Sequence, residues 1–137
     1  MPDRSQSRQT SQVDTRAGLD SQKVKLHRGT LVLVDLNPTV GHEQRGLRPC
    51  VIVSDPDVAG DQRFPILCVV PVTGKAGVGA LYPSLSAGRS GLLKKSFALV
   101  DQLRSIDKRR VRHTLGRVER GEMEAIDVGL RLYLGLE

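Results

Sequence analysis

The chain has 137 residues, with 21 Lys and Arg against 15 Asp and Glu, a formal net charge of +6 and a pI near 9.8. This length suits one domain and excludes two ordinary ones, and the positive charge favours polyanionic partners without establishing that the protein binds nucleic acid. Aromatic residues make up 3% of the chain and Trp is absent, which excludes a row of aromatic side chains for stacking unpaired bases, so RNA binding would depend on Arg, Lys and backbone groups.

The N-terminal segment is rich in Ser, Gln, Arg, Asp and Thr and has few residues that a core would bury. Such a segment cannot repay the entropy that it loses on ordering, so we predict a disordered tail or expression remnant over residues 1–27 and one folded domain over residues 28–137. No apolar window approaches the roughly 18 to 20 residues of a membrane span, and the N-terminus lacks the apolar segment of a signal peptide. We therefore expect a cytoplasmic protein with no membrane partner.

The first half of the chain alternates apolar, β-branched runs with turn residues, a pattern typical of strands. It predicts three successive strands, at Thr30–Leu36, Pro49–Ser54 and Phe64–Val72, with a turn at Asp55–Asp57. The Gly-rich segment Thr73–Ala80 lacks the spacing of a nucleotide-binding loop and is predicted as a mobile flap over substrate. Further short strands are predicted at Leu81–Leu85, Leu92–Leu99, Leu103–Ile106 and Val111–Val118. Because no crossover helix separates these strands, we expect a mainly β fold with an antiparallel, barrel-like sheet.

The C-terminal segment changes to a helical period. Four residues recur at intervals of three and four: Met123, Ile126, Leu130 and Tyr133. Glu119, Glu122 and Glu124 lie near the start of this segment, where the positive end of a helix dipole favours carboxylates. We predict an amphipathic C-terminal helix, in which Gly129 costs about 1 kcal/mol relative to Ala and indicates either close packing or a marginal helix.

Cysteine and histidine do not form a pattern typical of metal ligands. Cys50 and Cys68 each lie inside an apolar run, which predicts two buried, free thiols. His27 and His113 do not fall into a spacing typical of metal ligands. We therefore expect neither a metal ion nor another cofactor.

The segment VGHEQRGLRPCVIVSDP, Val40–Pro56, places polar and flexible residues between two apolar strands, where binding and catalytic groups often lie. Four of its side chains supply a carboxylate, an amide and two guanidiniums: Glu43, Gln44, Arg45 and Arg48. That set suits the binding of a phosphodiester better than the filling of a core.

Three separated motifs carry a family resemblance: GTLVLVDLNPTVGHEQRGLRPCVIVS, then CVVPVT, then ALVDQLRSID. In this order and spacing they resemble the MazF/PemK (Kid) endoribonuclease toxins of type II toxin-antitoxin systems, over nearly all of Gly29–Leu136. The resemblance implies an SH3-like antiparallel β-barrel of the MazF/PemK/CcdB type with a C-terminal helix. It also implies a homodimer that cuts single-stranded mRNA at specific short sequences without a metal, and an antitoxin that neutralises it.

The resemblance further implies roles for individual residues. Arg48 and Thr73 match the positions most often assigned to cleavage, and Glu43 matches the glutamate of the family's loop. The expected RNA-binding residues, from the resemblance and from the loops themselves, are His42, Gln44, Arg45, Lys75, Asp101 and Gln102.

The chemistry of RNA cleavage explains why such residues are needed. Attack by the 2′-hydroxyl requires a base, an acid for the leaving 5′-oxygen and donors for the charged phosphorane. Arg48 can donate two parallel hydrogen bonds to phosphate, and Thr73 can donate another, each donor being typically worth about 3 kcal/mol of barrier. A guanidinium is a poor proton acceptor, so Glu43 or His42 is the better candidate for proton transfer.

Two other functions remain open at this point. A gyrase-poisoning toxin of the CcdB type would share the fold, but those relatives use a Trp near the C-terminus and this chain has none. A non-catalytic barrel that binds nucleic acid or a protein partner is the second alternative, since fold alone does not determine function. Either Arg48 or Thr73 taken singly would more often be an ordinary surface residue.

The basic run Lys108–Arg112 allows several interpretations. It is a solvated face, a track for the RNA backbone or a surface for an acidic antitoxin tail. A homodimer is expected also because a small barrel with few aromatic residues has a limited core.

Overall fold

The computed structural model describes residues 26–136. The predicted tail therefore lies outside the described residues except at Leu26 and His27. Leu26 is partly buried against the core, and the carbonyl of His27 accepts a hydrogen bond from Thr30 N at 3.0 Å. Within the part of the chain that is described, no helix has the length and apolarity that crossing a membrane requires.

Antiparallel strands and one long helix dominate the described chain. The strands are β1 (Thr30–Asp35), β2 (Leu47–Ile52), β3 (Ile66–Thr73), β4 (Ser84–Leu85), β5 (Ser96–Ala98), β6 (Arg104–Asp107) and β7 (Val111–Arg117). The helices are α1 (Pro56–Ala59) and α2 (Arg120–Leu134), with the short 3-10 helices η1 (Val100–Gln102) and η2 (Lys108–Arg110). The predicted mainly β fold with a C-terminal helix is confirmed.

The strands form one curved antiparallel sheet, a half-barrel, in the order β4-β5-β3-β2-β1-β7, with β6 paired to β3 beside this path. Register shifts between β1 and β7 mark bulges, which bend strands and increase their twist. The three sequence motifs lie on β1 and β2, on β3, and on the segment from β5 to β6. These strands are neighbours in the sheet.

Some predicted elements differ from the observed ones. β4 and β5 occupy only parts of the segments predicted as strands, because they pair with each other over two residues and β5 pairs with β3 over two. The chain between β4 and β5 turns at Gly88 and Gly91, where φ is +105° and +85°. Residues Pro56–Ala59 form α1 where a turn is predicted. The carboxylate of Asp55 accepts a hydrogen bond from Asp57 N at 2.8 Å and caps this helix. The Asp-Pro-Asp sequence favours both a turn and a helix start, so the local pattern does not distinguish them.

Apolar side chains are buried on both faces of the central strands. One face packs with α2, and its cluster includes Leu31, Val51, Val70, Val72, Val100 and Ile126. The opposite face has a second cluster that includes Val32, Val34, Cys50, Ile52, Leu67, Val69 and Ile106. Successive strand residues point to opposite faces, so burial on both sides requires the near-continuous apolar runs seen in the sequence. Each such side chain contributes about 1.5 to 3 kcal/mol when fully buried.

Helix α2 is anchored at its start by Glu122. The carboxylate accepts hydrogen bonds from Glu119 N at 3.0 Å, from Ser86 N at 2.7 Å and from the Ser86 hydroxyl at 2.5 Å. Burial raises the pKa of Glu122, but these hydrogen bonds lower it by more, so the pKa lies below its ordinary value. The helix start is therefore tied to the loop that follows β4.

Three of the four residues predicted for the apolar side of α2 are buried or partly buried. Ile126 is fully buried, Met123 and Leu130 are partly buried, and Tyr133 is 47% exposed. Gly129 is buried at the closest approach, where an added Cβ would lie 2.8 Å from Ala80 O and 3.1 Å from Val100 Cγ2. Close packing, the first of the two predicted explanations for Gly129, is confirmed.

We expect Gly129→Ala to destabilise the fold by about 1 to 3 kcal/mol, because overpacking against Ala80 and Val100 outweighs the gain in helix propensity. Gly121→Ala on the same helix is the matched control, since nothing lies within 4 Å of a Cβ at that position. Equilibrium unfolding in urea measures both. A gain in stability for both variants would contradict the tight packing.

Candidate functional site

Arg48 and Thr73 lie on one face of the sheet, near the ends of β2 and β3. These strands pair with Cys50 opposite Pro71, and continuing this register by two residues places Arg48 opposite Thr73. Residues directly opposite each other in an antiparallel pair share a face. It is the face that buries Cys50 farther along β2. The register thus directs two residues from separate segments to the same face of the sheet.

The side chain of Arg48 is exposed, and its Nε donates a hydrogen bond to Arg45 O at 2.9 Å. Among the described residues its two terminal NH2 groups have no acceptor in hydrogen-bond reach. The fixed Nε and the two remaining donor groups suit the binding of a phosphate by two parallel hydrogen bonds.

Thr73 ends β3 in a tight turn. Its hydroxyl oxygen accepts a hydrogen bond from Lys75 N at 3.2 Å, which leaves the hydroxyl hydrogen able to donate. Lys94 crosses this turn, because a Cβ added to Gly74 would lie 2.6 Å from Lys94 Cε and 3.1 Å from its Nζ. Sequence reasoning identified Lys75 but missed Lys94, since the two lysines belong to different loops.

An aromatic ring lies beside Thr73. Phe97 on β5 pairs directly with Thr73 on β3, so the two side chains share a face. The Nζ atom of Lys95 lies 5.8 Å from the centre of the Phe97 ring, in the range of a cation–π contact. Neither residue was predicted for the site, because the pairing of Phe97 with Thr73 is a property of the sheet.

The β1–β2 loop carries His42, Glu43 and Gln44 and is attached to η1 by Gln102. The amide oxygen of Gln102 accepts a hydrogen bond from Gln44 N at 2.8 Å, and its Nε2 donates to His42 O at 3.4 Å. His42 and Glu43 are both exposed. Glu43 Oε1 accepts a hydrogen bond from Val40 N at 2.7 Å, so this carboxylate also closes its own loop.

The side chain of Arg45 binds within the same loop. Its side chain is exposed and donates a hydrogen bond to Gly41 O at 3.1 Å. Arg45 is close to Arg48 in sequence, but its guanidinium binds the backbone of its own loop.

Two arginines from distant segments hold the base of the β1–β2 loop. Arg104 donates a hydrogen bond to Leu36 O at 3.1 Å, and Arg110 donates one to Asp35 O at 3.1 Å. Arg110 also donates to Asn37 O. These contacts satisfy the carbonyl groups at the end of β1, where the chain leaves the sheet. Sequence reasoning did not identify Arg104, because a single arginine in a short strand carries no local signal.

Asp101 is bound by Tyr82. The Tyr82 hydroxyl donates a hydrogen bond to Asp101 Oδ2 at 2.5 Å, and this bond, with burial and the negative charge of Asp101, raises the pKa of Tyr82. The other carboxylate oxygen, Oδ1, is buried and accepts no hydrogen bond from the described residues. Asp101 and Gln102 lie in η1, so the polar pair of the third motif forms part of a 3-10 helix.

Cys50 lies on the floor of this face. Its thiol is buried, and burial raises its pKa to about 12, although the positive charge of Arg104 acts in the opposite direction. Such a thiol is neutral and unreactive at ordinary pH. Cys68 is only partly buried, so the prediction of two buried thiols holds for Cys50 alone.

The basic run after β6 binds mainly to its own chain. Lys108 Nζ donates hydrogen bonds to Val58 O at 2.9 Å and to Asp61 O at 2.8 Å, and burial lowers its pKa. Arg109 forms an ion pair with Asp107 at 3.0 Å, although its side chain is 91% exposed. Arg110 holds the β1–β2 loop, as described above. Of the three predicted interpretations, a wholly solvated face is wrong for Lys108 and Arg110.

Over residues 26–136, no group of three or more His, Cys, Asp or Glu side chains is arranged to hold a metal ion. The groups that the site offers are instead hydrogen-bond donors and cations. They are Arg48, Thr73, Lys75, Lys94 and Arg104, beside the carboxylate of Glu43 and the imidazole of His42.

Comparisons with known proteins identify a family. The family model described as the PemK-like, MazF-like toxin of type II toxin-antitoxin systems matches residues 27–134.

Solved structures of MazF proteins and a related endoribonuclease have a similar fold. MazF from Deinococcus radiodurans is 27% identical, with a TM-score of 0.72, and the match covers 83% of this chain and 100% of that one. A MazE–MazF structure from the same organism is 26% identical, with a TM-score of 0.67, covering 84% and 100%. An endoribonuclease from mycobacterial species, in complex with its cognate antitoxin, is 23% identical with a TM-score of 0.65, covering 81% and 96%, and shows the fold alone.

Proposed function

Because the chain belongs to the PemK-like, MazF-like toxins of type II toxin-antitoxin systems, we propose that it is an endoribonuclease that cleaves single-stranded mRNA at specific sequences. The observation that supports this proposal is the β2–β3 register, which directs Arg48 and Thr73 to one face of the sheet when it is extended by two residues. Two donors on one face suit the binding of a phosphate, and the proton-transfer candidates His42 and Glu43 are exposed on the loop before β2. Cleavage then proceeds by attack of the substrate's own 2′-hydroxyl, without a metal ion.

The proposed roles follow from the chemistry of each side chain. Arg48 and Thr73 donate hydrogen bonds to the nonbridging oxygens of the scissile phosphate and stabilise the charge that develops there. Glu43 or His42 takes the proton of the 2′-hydroxyl, and the other returns a proton to the leaving 5′-oxygen. Both groups are exposed on the loop, so substrate reaches them without a rearrangement of the core.

The remaining candidates bind the RNA on either side of the cleaved bond. Lys75, together with Lys94, supplies positive charge at the turn after Thr73. Gln44 and Arg45 act from the β1–β2 loop, and Asp101 with Gln102 fixes that loop from η1. The sequence that is cut depends on these loops.

The gyrase-poisoning alternative has less support. The chain has no Trp, the residue on which those toxins rely. The second alternative is a non-catalytic barrel that binds nucleic acid or a protein partner. It is distinguished from the enzyme by whether the purified protein cleaves RNA.

An antitoxin is the second proposed partner, since the family and the MazE–MazF structure both involve one. The positive net charge of +6 favours an acidic segment on that partner. A cytoplasmic location is proposed with it, because mRNA is the substrate.

We expect purified protein to cut a long single-stranded RNA at discrete sites in EDTA, and Arg48→Ala to slow cleavage by about 10²- to 10³-fold, as for the loss of one transition-state donor. RNA affinity should change by less than about tenfold. The control is Arg120→Ala, which removes an arginine whose side chain is 94% exposed on α2. Intact RNA with the unaltered protein would contradict the proposal and lead to assays of gyrase supercoiling and partner binding.

His42→Ala and Glu43→Ala test the assignment of proton transfer. We expect at least one of them to reduce kcat by about 10²-fold, with a changed pH–rate profile, because general acid–base catalysis typically contributes 10²- to 10⁴-fold. Single-turnover cleavage across a pH series measures this. Full rates and an unchanged profile in both variants would remove these residues from the mechanism.

A homodimer is proposed as the active assembly. Near the end of α2, Val128, Leu132, Leu134 and Leu136 are 45%, 60%, 50% and 61% exposed. An exposed apolar group of this kind marks an interaction site more often than a solvated surface.

We expect Leu132→Glu to weaken the dimer by about tenfold or more, because it places a charge in an apolar contact. Sedimentation equilibrium measures this change. Leu93→Glu is the matched control, the same substitution at a leucine that is 99% exposed before β5. An unaltered protein that is monomeric at micromolar concentration would contradict the proposal.

A further inference from the structure

We propose that Tyr82 is a positioning residue of the candidate site: by binding the carboxylate of Asp101 it fixes η1 and, through Gln102, the loop that carries His42 and Glu43. This inference deepens the proposed ribonuclease function and depends on it for its catalytic consequence. The contacts themselves can be tested without RNA.

The hydrogen bond between Tyr82 and Asp101 is the central contact. Its length of 2.5 Å lies at the short end of the range for O–H···O bonds, as expected when the acceptor is a carboxylate. Asp101 Oδ1 is buried and has no hydrogen-bond partner among residues 26–136. The Tyr82 hydroxyl is therefore the side-chain donor that compensates this carboxylate. Without it, a partly buried charge would lose its partner and move toward water.

A movement of Asp101 passes directly to the loop. Asp101 and Gln102 are consecutive residues of the three-residue helix η1. The side chain of Gln102 accepts from Gln44 N at 2.8 Å and donates to His42 O at 3.4 Å. A shift of η1 therefore loosens the hydrogen bonds that set the position of His42 and Glu43.

Tyr82 is itself held by the Gly-rich segment that follows Thr73. Its amide donates a hydrogen bond to Gly79 O at 3.0 Å. Gly77 packs so closely on it that an added Cβ would lie 2.7 Å from Tyr82 Cβ and 3.0 Å from Cγ. Tyr82 thus lies between the Gly-rich segment and η1, and its hydroxyl couples the two.

The pKa of Tyr82 agrees with this position, because the hydrogen bond to Asp101, with burial and the charge of Asp101, raises it. The hydroxyl stays protonated, and able to donate, at neutral pH. Asp101 on η1 is the titratable group that contacts this hydroxyl.

The chain allows a direct optical test, since it contains two Tyr and no Trp. In a Tyr133→Phe background, Tyr82 is the one tyrosine left, and its ionisation is followed by tyrosinate absorbance. We expect Asp101→Asn in that background to move the titration of Tyr82 to lower pH. An unchanged titration would overturn the proposed contact.

The second test uses Tyr82→Phe, which removes the hydroxyl and keeps the ring. We expect amide exchange at Gln44 to become faster by about tenfold, the effect of losing one hydrogen bond to a charged group. We expect faster exchange at Gln44 in Gln102→Ala as well, which removes the acceptor directly. We also expect kcat for RNA cleavage to fall by about tenfold with KM changed by less than about threefold. Tyr133→Phe is the matched control and should change neither quantity.

These readouts separate the two proposals. If the unaltered protein does not cut RNA, the proposed function fails, and Tyr82 titration with Gln44 exchange still decides the positioning contact. If the protein cuts RNA and Tyr82→Phe leaves both Gln44 exchange and kcat unchanged, the positioning role is overturned and the proposed function stands.

Discussion

The antiparallel register between β2 and β3 is the constraint on which both the core and the candidate site depend. It pairs Val51 with Val70 in the cluster under α2 and Cys50 with Pro71 on the opposite face. Since side chains alternate between the faces, a slip of one residue would turn each of them to the wrong side and lose the burial on both. The same slip would separate Arg48 from Thr73. The apolar burial that stabilises the sheet therefore also specifies the geometry of the site.

Beyond the sheet, hydrogen bonds take the place of apolar packing. The β1–β2 loop is exposed and contributes little to either core cluster, yet Gln102, Arg104 and Arg110 bind its backbone from three later segments. Backbone groups that leave a sheet need such partners, and long polar side chains supply them with a definite direction. The position of the loop is thus set by polar contacts that span most of the domain, with Tyr82 and Asp101 at one end of that network.

The positive charges that cluster in the sequence are not the ones that cluster near the candidate site in the fold. The most basic run in the sequence is largely used internally, since Lys108 binds the carbonyls of Val58 and Asp61 and Arg110 binds those of Asp35 and Asn37. The cations near the candidate site come from separate segments, as Arg48, Lys75 and Lys94 illustrate. A net charge favours polyanions in general, but the fold determines where such a partner meets positive charge.

The sequence by itself determined the class of fold, the first strands and the C-terminal helix, because periodicity is a local property of the chain. It left Gly129 open between close packing and a marginal helix, and the contacts with Ala80 and Val100 decided for close packing. It also pointed to Arg48 and Thr73 through three motifs in family order. Only the tertiary structure decided that Lys94 crosses Gly74, that Phe97 lies beside Thr73 and that Tyr82 binds Asp101. The tertiary structure also decided the bounds of the short strands β4 and β5, through their pairing partners and the glycine turns between them. Contacts between distant segments depend on register and on the path of the backbone, and no residue pattern along one segment encodes them.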